Sequence, residues 1–511
     1  KVMNDFGIDK KLLRIIINSF QDFKCCVSIG GVCSDYFQPE LGLHQGAPYS
    51  MLGFCMLNEM LLRPLTQSPY SIHIQDICLS CSAYADDLTL IAISARSLQK
   101  LLDIVYDFSH KWRLSFNPTK CKILVYGTDK SSHIKFKLGP DVIERCKAHT
   151  HVGTIMSHST KEISNYMKNK IEKCKQISYT IPAIGSRRAP VTPICGSHVF
   201  KSICISKLLY GSEMMSIPST LMIDLETYQA SVAKFLQGLP DNTCNLGAIR
   251  MLGWLSIKAQ IDYNKLVFLW RLICLPMSNV YKRLLLKRYC YITSGEADRT
   301  EGPLHSFLQV ADKYNLNEVV AHAIESGEHM SLPSWKSFIK ELVTERDERL
   351  WLLNSHLYSS LDIARISMPR SVVNCWWTFV QHNPSYFQKC KTVIRIILFV
   401  HQLNSCKARY VSDINTSCPL CEDFCYEDIS HLLFECKFME GTRCTLWNEV
   451  MDSCPSSILR EQISTMNYKQ RSMFIITGLM NSYTLEWNKF FCNICNFVYK
   501  LYMLRINLIS T

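Results

Sequence analysis

The stretch CSAYADDLTLIA, Cys81 to Ala92, decides how this chain is read. Two adjacent aspartates, Asp86 and Asp87, stand between two apolar runs, ICLSCSAY before them and LTLIAI after. β-favouring residues on either side of a two-residue polar tip predict a hairpin with both carboxylates at its turn. Like charges on neighbouring residues repel, so solvent, a surface lysine or a divalent cation has to compensate. Asp-Asp is also an ordinary turn dipeptide, because these side chains satisfy their own backbone. Two-metal phosphoryl transfer needs carboxylates on a rigid element, since cations about 4 Å apart must hold attacking and leaving oxygens in line. What stands around the pair decides between these readings.

Upstream, LGLHQGAPYS places Gly42, Gln45, Gly46 and Pro48 just ahead of the helical pattern PYSMLGFCMLNEMLL. Glycines let a backbone approach a ligand closely, and a helix start offers free N–H groups to phosphate. Pro48 suits the first helical turn, where its missing N–H costs nothing. Downstream, SLQKLLDIVYDFSHKW puts Leu98, Leu101, Leu102, Val105 and Trp112 near one helical face. SFNPTKCK then offers Asn117 and Lys120, CKILVYG and HVGTIMS read as strands, and HVGT carries Gly153. This alternation predicts an α+β domain with helices backing a small antiparallel sheet.

Four stations in this order resemble the reverse transcriptase of non-LTR (LINE-type) retrotransposons. They are the Gly42 to Ser50 loop, Tyr84-Ala85-Asp86-Asp87, Asn117-Pro-Thr-Lys120 and Val152-Gly153. ISKLLYGSEM and KFLQGLPDNT resemble the thumb and post-thumb segments of the same elements. The resemblance implies RNA-directed DNA polymerase activity with Mg2+ or Mn2+, dNTPs, an element RNA template and a DNA primer. It implies that Asp86 ligates the catalytic metals, with Asp87 assisting. It sets Tyr84 near the primer terminus, and Gln45 and Gly46 along the template and nucleotide pocket. Asn117 and Gly153 would complete the primer–template site, and Lys120 could protonate the departing pyrophosphate; an ordinary solvated lysine fits Lys120 too.

One departure matters. The family carries a further metal-binding aspartate on a strand well before the glycine loop, in the pattern apolar run, Asp, then xxxAFD. Asp5 and Asp9 lie on a helical pattern, and Asp35 follows a turn too close to Gln45. The chain is therefore expected to begin downstream of that aspartate and of the fingers, and to lack polymerase activity by itself. A decayed or co-opted nucleic-acid-binding protein is the alternative.

A second constellation, CPLCEDFCYEDISHLLFEC, sets Cys418, Cys421, His431 and Cys436 in the spacing C-x2-C-x9-H-x4-C. Four soft N and S ligands suit a closed, structural Zn2+ site. The chain has three C-x2-C pairs, so the His and the last Cys carry the signal, and Cys425, a further thiol inside the loop, offers an alternative ligand set. LINE-type elements often carry such a segment near the C-terminus. Lys407, Arg409, Lys437 and Arg443 flank it and suit phosphates or plain solvent.

The rest of the chain sets bounds. At 511 residues, 48% apolar and 20% charged, it has ample capacity for buried cores. The net charge of +12 suits a polyanionic partner but is diffuse. Twenty-five cysteines at scattered spacings read as reduced thiols in an intracellular protein, cytoplasmic and nuclear. No run reaches the ~18 apolar residues of a membrane span; LVFLWRLICLPM is broken by Arg271. The expected organisation is a partial palm over 1–158, thumb and post-thumb over 159–293, and a helical connector over 294–402. A zinc segment over 403–445 and C-terminal helices over 446–511 follow. SGEADRTEGP reads as a linker, the lysines of NYMKNKIEKCKQ as a duplex-tracking or solvated face, and Trp376-Trp377 as core.

Overall fold

Two long helices form the support on which the N-terminal unit is built. Pro48–Gln67 begins with its proline in the first turn, and Ala95–Trp112 begins where the Ser94 side chain accepts the Ser97 N–H. Both are seen in a computed structural model that describes residues 2–21, 23–39, 42–43, 46–127, 133–185, 191–295, 302–368, 370–421, 424–481 and 484–510. The chain divides into two units, Lys1–Ile163 and Ser164–Thr511. It is a mixed α+β protein, mostly helical, with small sheets.

In the first unit Leu61 and Leu65 meet Leu101, Leu102, Val105 and Phe108 in one core, closed by Ile123, Phe136, Leu138 and Ile143. The last four come from a three-stranded sheet. Its central strand, Asp141–Arg145, pairs parallel with Lys122–Ile123 and antiparallel with Phe136–Leu138. Only two residues of the predicted CKILVYG strand join a ladder. HVGTIMS is not one strand: the chain reverses at Val152–Gly153, so Ala148–His151 pairs with Thr154–Ser157. Before Leu61, Ile16 is the one buried apolar residue among those described. Asp9 caps the Lys10–Phe20 helix by accepting the Lys11 and Leu12 N–H groups.

The second unit packs helices around stacked indoles. Trp270 and Trp335 lie 3.7 Å apart and nearly parallel, within a core that runs from Ala259 through Phe307 to Val343. The expected linker SGEADRTEGP thus connects two helices, Val280–Thr293 and Pro303–Lys313, that share one core; its residues 296–301 lie outside the described residues. Trp376 and Trp377 are fully buried, with indole N–H groups donating to the Ile476 carbonyl and the Gln237 amide oxygen. Among the described residues no cysteine is in a disulfide, and no helix is long and apolar enough to cross a membrane.

Candidate functional site

The hairpin pairs Cys81–Tyr84 with Asp87–Leu90, in the register Cys81↔Leu90, Ser82↔Thr89, Ala83↔Leu88 and Tyr84↔Asp87. Side chains alternate along a strand, so one face carries Cys81, Ala83, Leu88 and Leu90 and the other Ser82, Tyr84, Asp87 and Thr89. Cys81, Leu88 and Leu90 pack against the core of the two long helices. The two-residue tip is Ala85–Asp86, not Asp86–Asp87: Asp87 is already in the ladder, opposite Tyr84. Asp86 and Asp87 are exposed and, among the described residues, neither joins an ion pair. Tyr84 beside them is 67% exposed.

Two contacts that the sequence did not suggest hold this hairpin. The Asn58 amide of the Pro48–Gln67 helix donates to the Ala85 carbonyl at 2.6 Å. On the other flank Thr89 Oγ1 and His151 Nε2 are 3.1 Å apart, which ties the Val152–Gly153 turn to the outward face of the Asp hairpin. Gly153 has φ +73° after Val152 at +47°, a two-residue turn whose twist matches its strands. Gly46 has φ +89° and is exposed just ahead of Pro48; Gln45 lies outside the described residues. The Asn117 side chain is engaged in its own turn, accepting from the Thr119 N–H at 3.0 Å and the Thr119 hydroxyl at 2.7 Å. That turn presents Lys120 exposed. Asp86, Asp87, Tyr84 and Gly153 are therefore linked through one hydrogen-bonded set of hairpins.

The second cluster lies in the other unit. A small ladder, Ser417 opposite Tyr426 with Cys418 N–H donating to the Cys425 carbonyl at 2.8 Å, presents the first two cysteines. His431 begins a short helical turn, its N–H capped by Asp428 at 2.8 Å, and Cys436 follows that turn. The Cys418, Cys421 and Cys436 sulfurs and a His431 ring nitrogen all lie within 4.8 Å of one another, and Cys425 is outside this set. His431 Nε2 is the nitrogen that faces Cys421, at 3.5 Å. Nδ1 is buried without a hydrogen-bond partner, with the Glu435 carboxylate at 3.9 Å. A metal-bound imidazole characteristically aims its second nitrogen at a carboxylate, so the donor set and its surroundings fit a tetrahedral ion. Cys418 and Cys436 share a hydrogen bond at 4.0 Å, which pushes the Cys436 thiol down to about 7 and the Cys418 thiol up to about 11.

Most basic residues that the sequence offered for phosphate are held within the protein. Arg409 donates to Ser359, Arg443 to the Cys436 carbonyl, and Lys437 is likewise engaged. On the Thr160–Thr180 helix, Lys175 pairs with Glu172, Lys168 lies 3.9 Å from Asp224, and Lys170 donates to the Tyr210 carbonyl.

Residues 1–142 match the family described as reverse transcriptase (RNA-dependent DNA polymerase). That segment is therefore similar to reverse transcriptases, and a relative of the non-LTR retrotransposon kind matches as well. Over 116 residues it is 31% identical to the retrovirus-related Pol polyprotein from type-2 retrotransposable element R2DM of Drosophila melanogaster. That match takes in 23% of this chain and 11% of the relative, so the chain spans only a small part of the relative's length.

The cysteine–histidine segment is anchored by one buried ion pair. Arg505 of the Asn488–Ser510 helix reaches both Glu427 oxygens at 2.7 Å, each side chain only 1% exposed. Asn404 joins them: its N–H donates to Glu427 and its side chain to the Ser417 carbonyl. Arg505→Ala leaves the Glu427 carboxylate buried and unpaired, and should cost about 3–5 kcal/mol in denaturant unfolding of the 164–511 unit.

His401, packed nearby, accepts the Leu403 N–H through Nδ1. Burial, then Arg505 and Arg409, push its pKa down to about 4. A depressed histidine contributes stability that is full above the unfolded value of about 6.5 and lost as pH falls toward 4, a loss of about 3 kcal/mol. His401→Phe should flatten that part of the stability–pH curve, measured by urea unfolding between pH 7 and pH 4.

Proposed function

We propose that this chain is the later part of a non-LTR retrotransposon reverse transcriptase, whose intact form copies element RNA into DNA from a DNA primer with dNTPs. In this reading residues 1–158 are the back of the palm, 159–293 the thumb and post-thumb, and 294–402 a helical connector. Residues 403–445 are the zinc segment and 446–511 the terminal helices. The observation that carries the reading is the exposed Asp86–Asp87 pair on a hairpin packed against the core along its other face and bonded to the Gly153 turn through Thr89 and His151. Asp86, with Asp87 assisting, would hold Mg2+ or Mn2+. Bound there, the ions would stabilise charge on the attacking and leaving oxygens. Tyr84 would lie at the primer end, and Gln45, Gly46, Asn117 and Gly153 along primer, template and nucleotide. Lys120 would deliver a proton to pyrophosphate.

Among the described residues no third His, Cys, Asp or Glu joins Asp86 and Asp87 in a metal-sized set. Two neighbouring carboxylates do not by themselves hold two cations in line, which favours the second reading for these residues alone: a nucleic-acid-binding protein without chemistry. Primer extension separates the two. The 511 residues alone should give no product on an RNA template with Mg2+ or Mn2+. A version carrying the apolar-Asp-xxxAFD strand should extend the primer, and Asp86→Asn should abolish that extension. Salt-sensitive RNA binding with no product in either version would leave the second reading standing.

For the cysteine–histidine cluster the same reading assigns one structural Zn2+ held by Cys418, Cys421, His431 and Cys436, since four protein donors leave no position for a reacting water. Metal analysis of purified protein should find about one zinc per chain. Cys436→Ser should remove it and lower the unfolding temperature, and Cys425→Ser should retain it.

A further inference from the structure

We propose that Asn58 is a positioning residue for the Asp86–Asp87 pair, acting through the backbone of Ala85; the inference rests on the reading that this pair grips divalent cations. Ala85 has φ +53°, in the left-handed region that residues with a Cβ rarely occupy. It is the first of the two tip residues, where hairpin turns of this sense favour glycine. Something must hold an alanine there. The Asn58 amide does, donating to the Ala85 carbonyl at 2.6 Å, and among the described residues it is the one side chain that bonds the tip.

The peptide unit transmits the restraint. The group from the Ala85 carbonyl to the Asp86 Cα is planar, so fixing the carbonyl direction fixes the Asp86 N–H and the point from which its carboxylate departs. Asn58 is itself held. It lies three residues before Leu61 and seven before Leu65, on the helix face whose leucines are buried in the core of the first unit. A polar side chain within the apolar run CMLNEMLL is thus a link from the core of the helix pair to the exposed carboxylates. Thr89 and His151 brace the strand beyond, two residues after Asp87. The hairpin is held at its tip and on its return strand.

Two readouts on the full chain test this. An endoproteinase that cuts on the N-terminal side of aspartate reports how ordered the Ala85–Asp86 bond is. Tb3+ luminescence excited through Tyr84 reports cation binding by the neighbouring carboxylates, read as the part of the signal lost in Asp86→Asn and Asp87→Asn. Asn58→Ala keeps a good helix former in the helix, so circular dichroism and unfolding temperature should hold. It should raise nicking at Ala85–Asp86 several-fold and weaken Tb3+ binding several-fold. Adding Ala85→Gly, which removes the objection to a positive φ, should return Tb3+ affinity to near the parent value. Nicking and affinity unchanged in Asn58→Ala, or no rescue by Ala85→Gly, overturns the positioning role. A Tb3+ signal indifferent to both Asp variants overturns the cation reading instead, and the nicking rate still decides whether Asn58 orders the tip.

Discussion

Strict alternation along the 81–90 hairpin is the constraint from which the candidate polymerase site follows. Leu88 and Leu90 pack, half-buried, against the core of the two long helices, and with that face turned inward every second residue must face outward. Asp87, Tyr84 and Thr89 are thereby committed to the same exposed face. A slip of one residue would bury a carboxylate and expose two leucines, which apolar burial at about 25 cal/mol per Å2 strongly opposes. The carboxylates therefore need no partner of their own to be placed. Their position is set by the apolar residues around them.

Charge has to be read with the same attention to structure. The excess of Lys and Arg suits a polyanion, yet the cations nearest the proposed nucleic-acid surfaces are largely engaged with carbonyls, hydroxyls and carboxylates of the protein itself. Exposed ion pairs of this kind contribute little to stability, so breaking them for a phosphate would cost little. The buried pair is of a different kind. Arg505 and Glu427 are both out of water and both doubly bonded, so their loss is felt by the fold and not by a ligand.

Short-range chemistry made much of this legible in the sequence. Pro48 at a helix start, the helical face from Leu98 to Trp112, and the burial of Trp376 and Trp377 each follow from local pattern. The convergence of Cys418, Cys421, His431 and Cys436 followed from spacing alone. What escaped depends on contacts between distant residues. The hairpin tip lies one residue earlier than the polar pair suggested, with a positive φ at Ala85 that local turn preference would not assign to an alanine. The turn at Val152–Gly153 was hidden because a strand and a tight two-residue hairpin share apolar composition. Asn58 interrupts an apolar helical run, and nothing nearby in sequence announces a partner 27 residues away. Arg505 is one charge in an apolar tail, and its partner Glu427 stands 78 residues earlier in the sequence.

The two candidate sites also differ in what their surroundings demand of a cation. The cysteine–histidine cluster is a closed set. Its four donors already lie within reach of one another, two of its sulfurs are in hydrogen-bond contact, and its histidine keeps a buried nitrogen facing a carboxylate. A sulfur-rich, largely buried set of that kind favours a soft, tetrahedral ion. The Asp86–Asp87 pair is open. Its oxygens are hard, exposed and joined by no third donor among the described residues, so ions would bind weakly and remain free to meet substrate oxygens. Permanence serves a folded module that presents a surface, and weak, open binding serves chemistry in which ions must contact nucleotide oxygens and let go. The physical character of each donor set therefore suits the one to a permanent ion and the other to an exchangeable one, which is the division of roles proposed above.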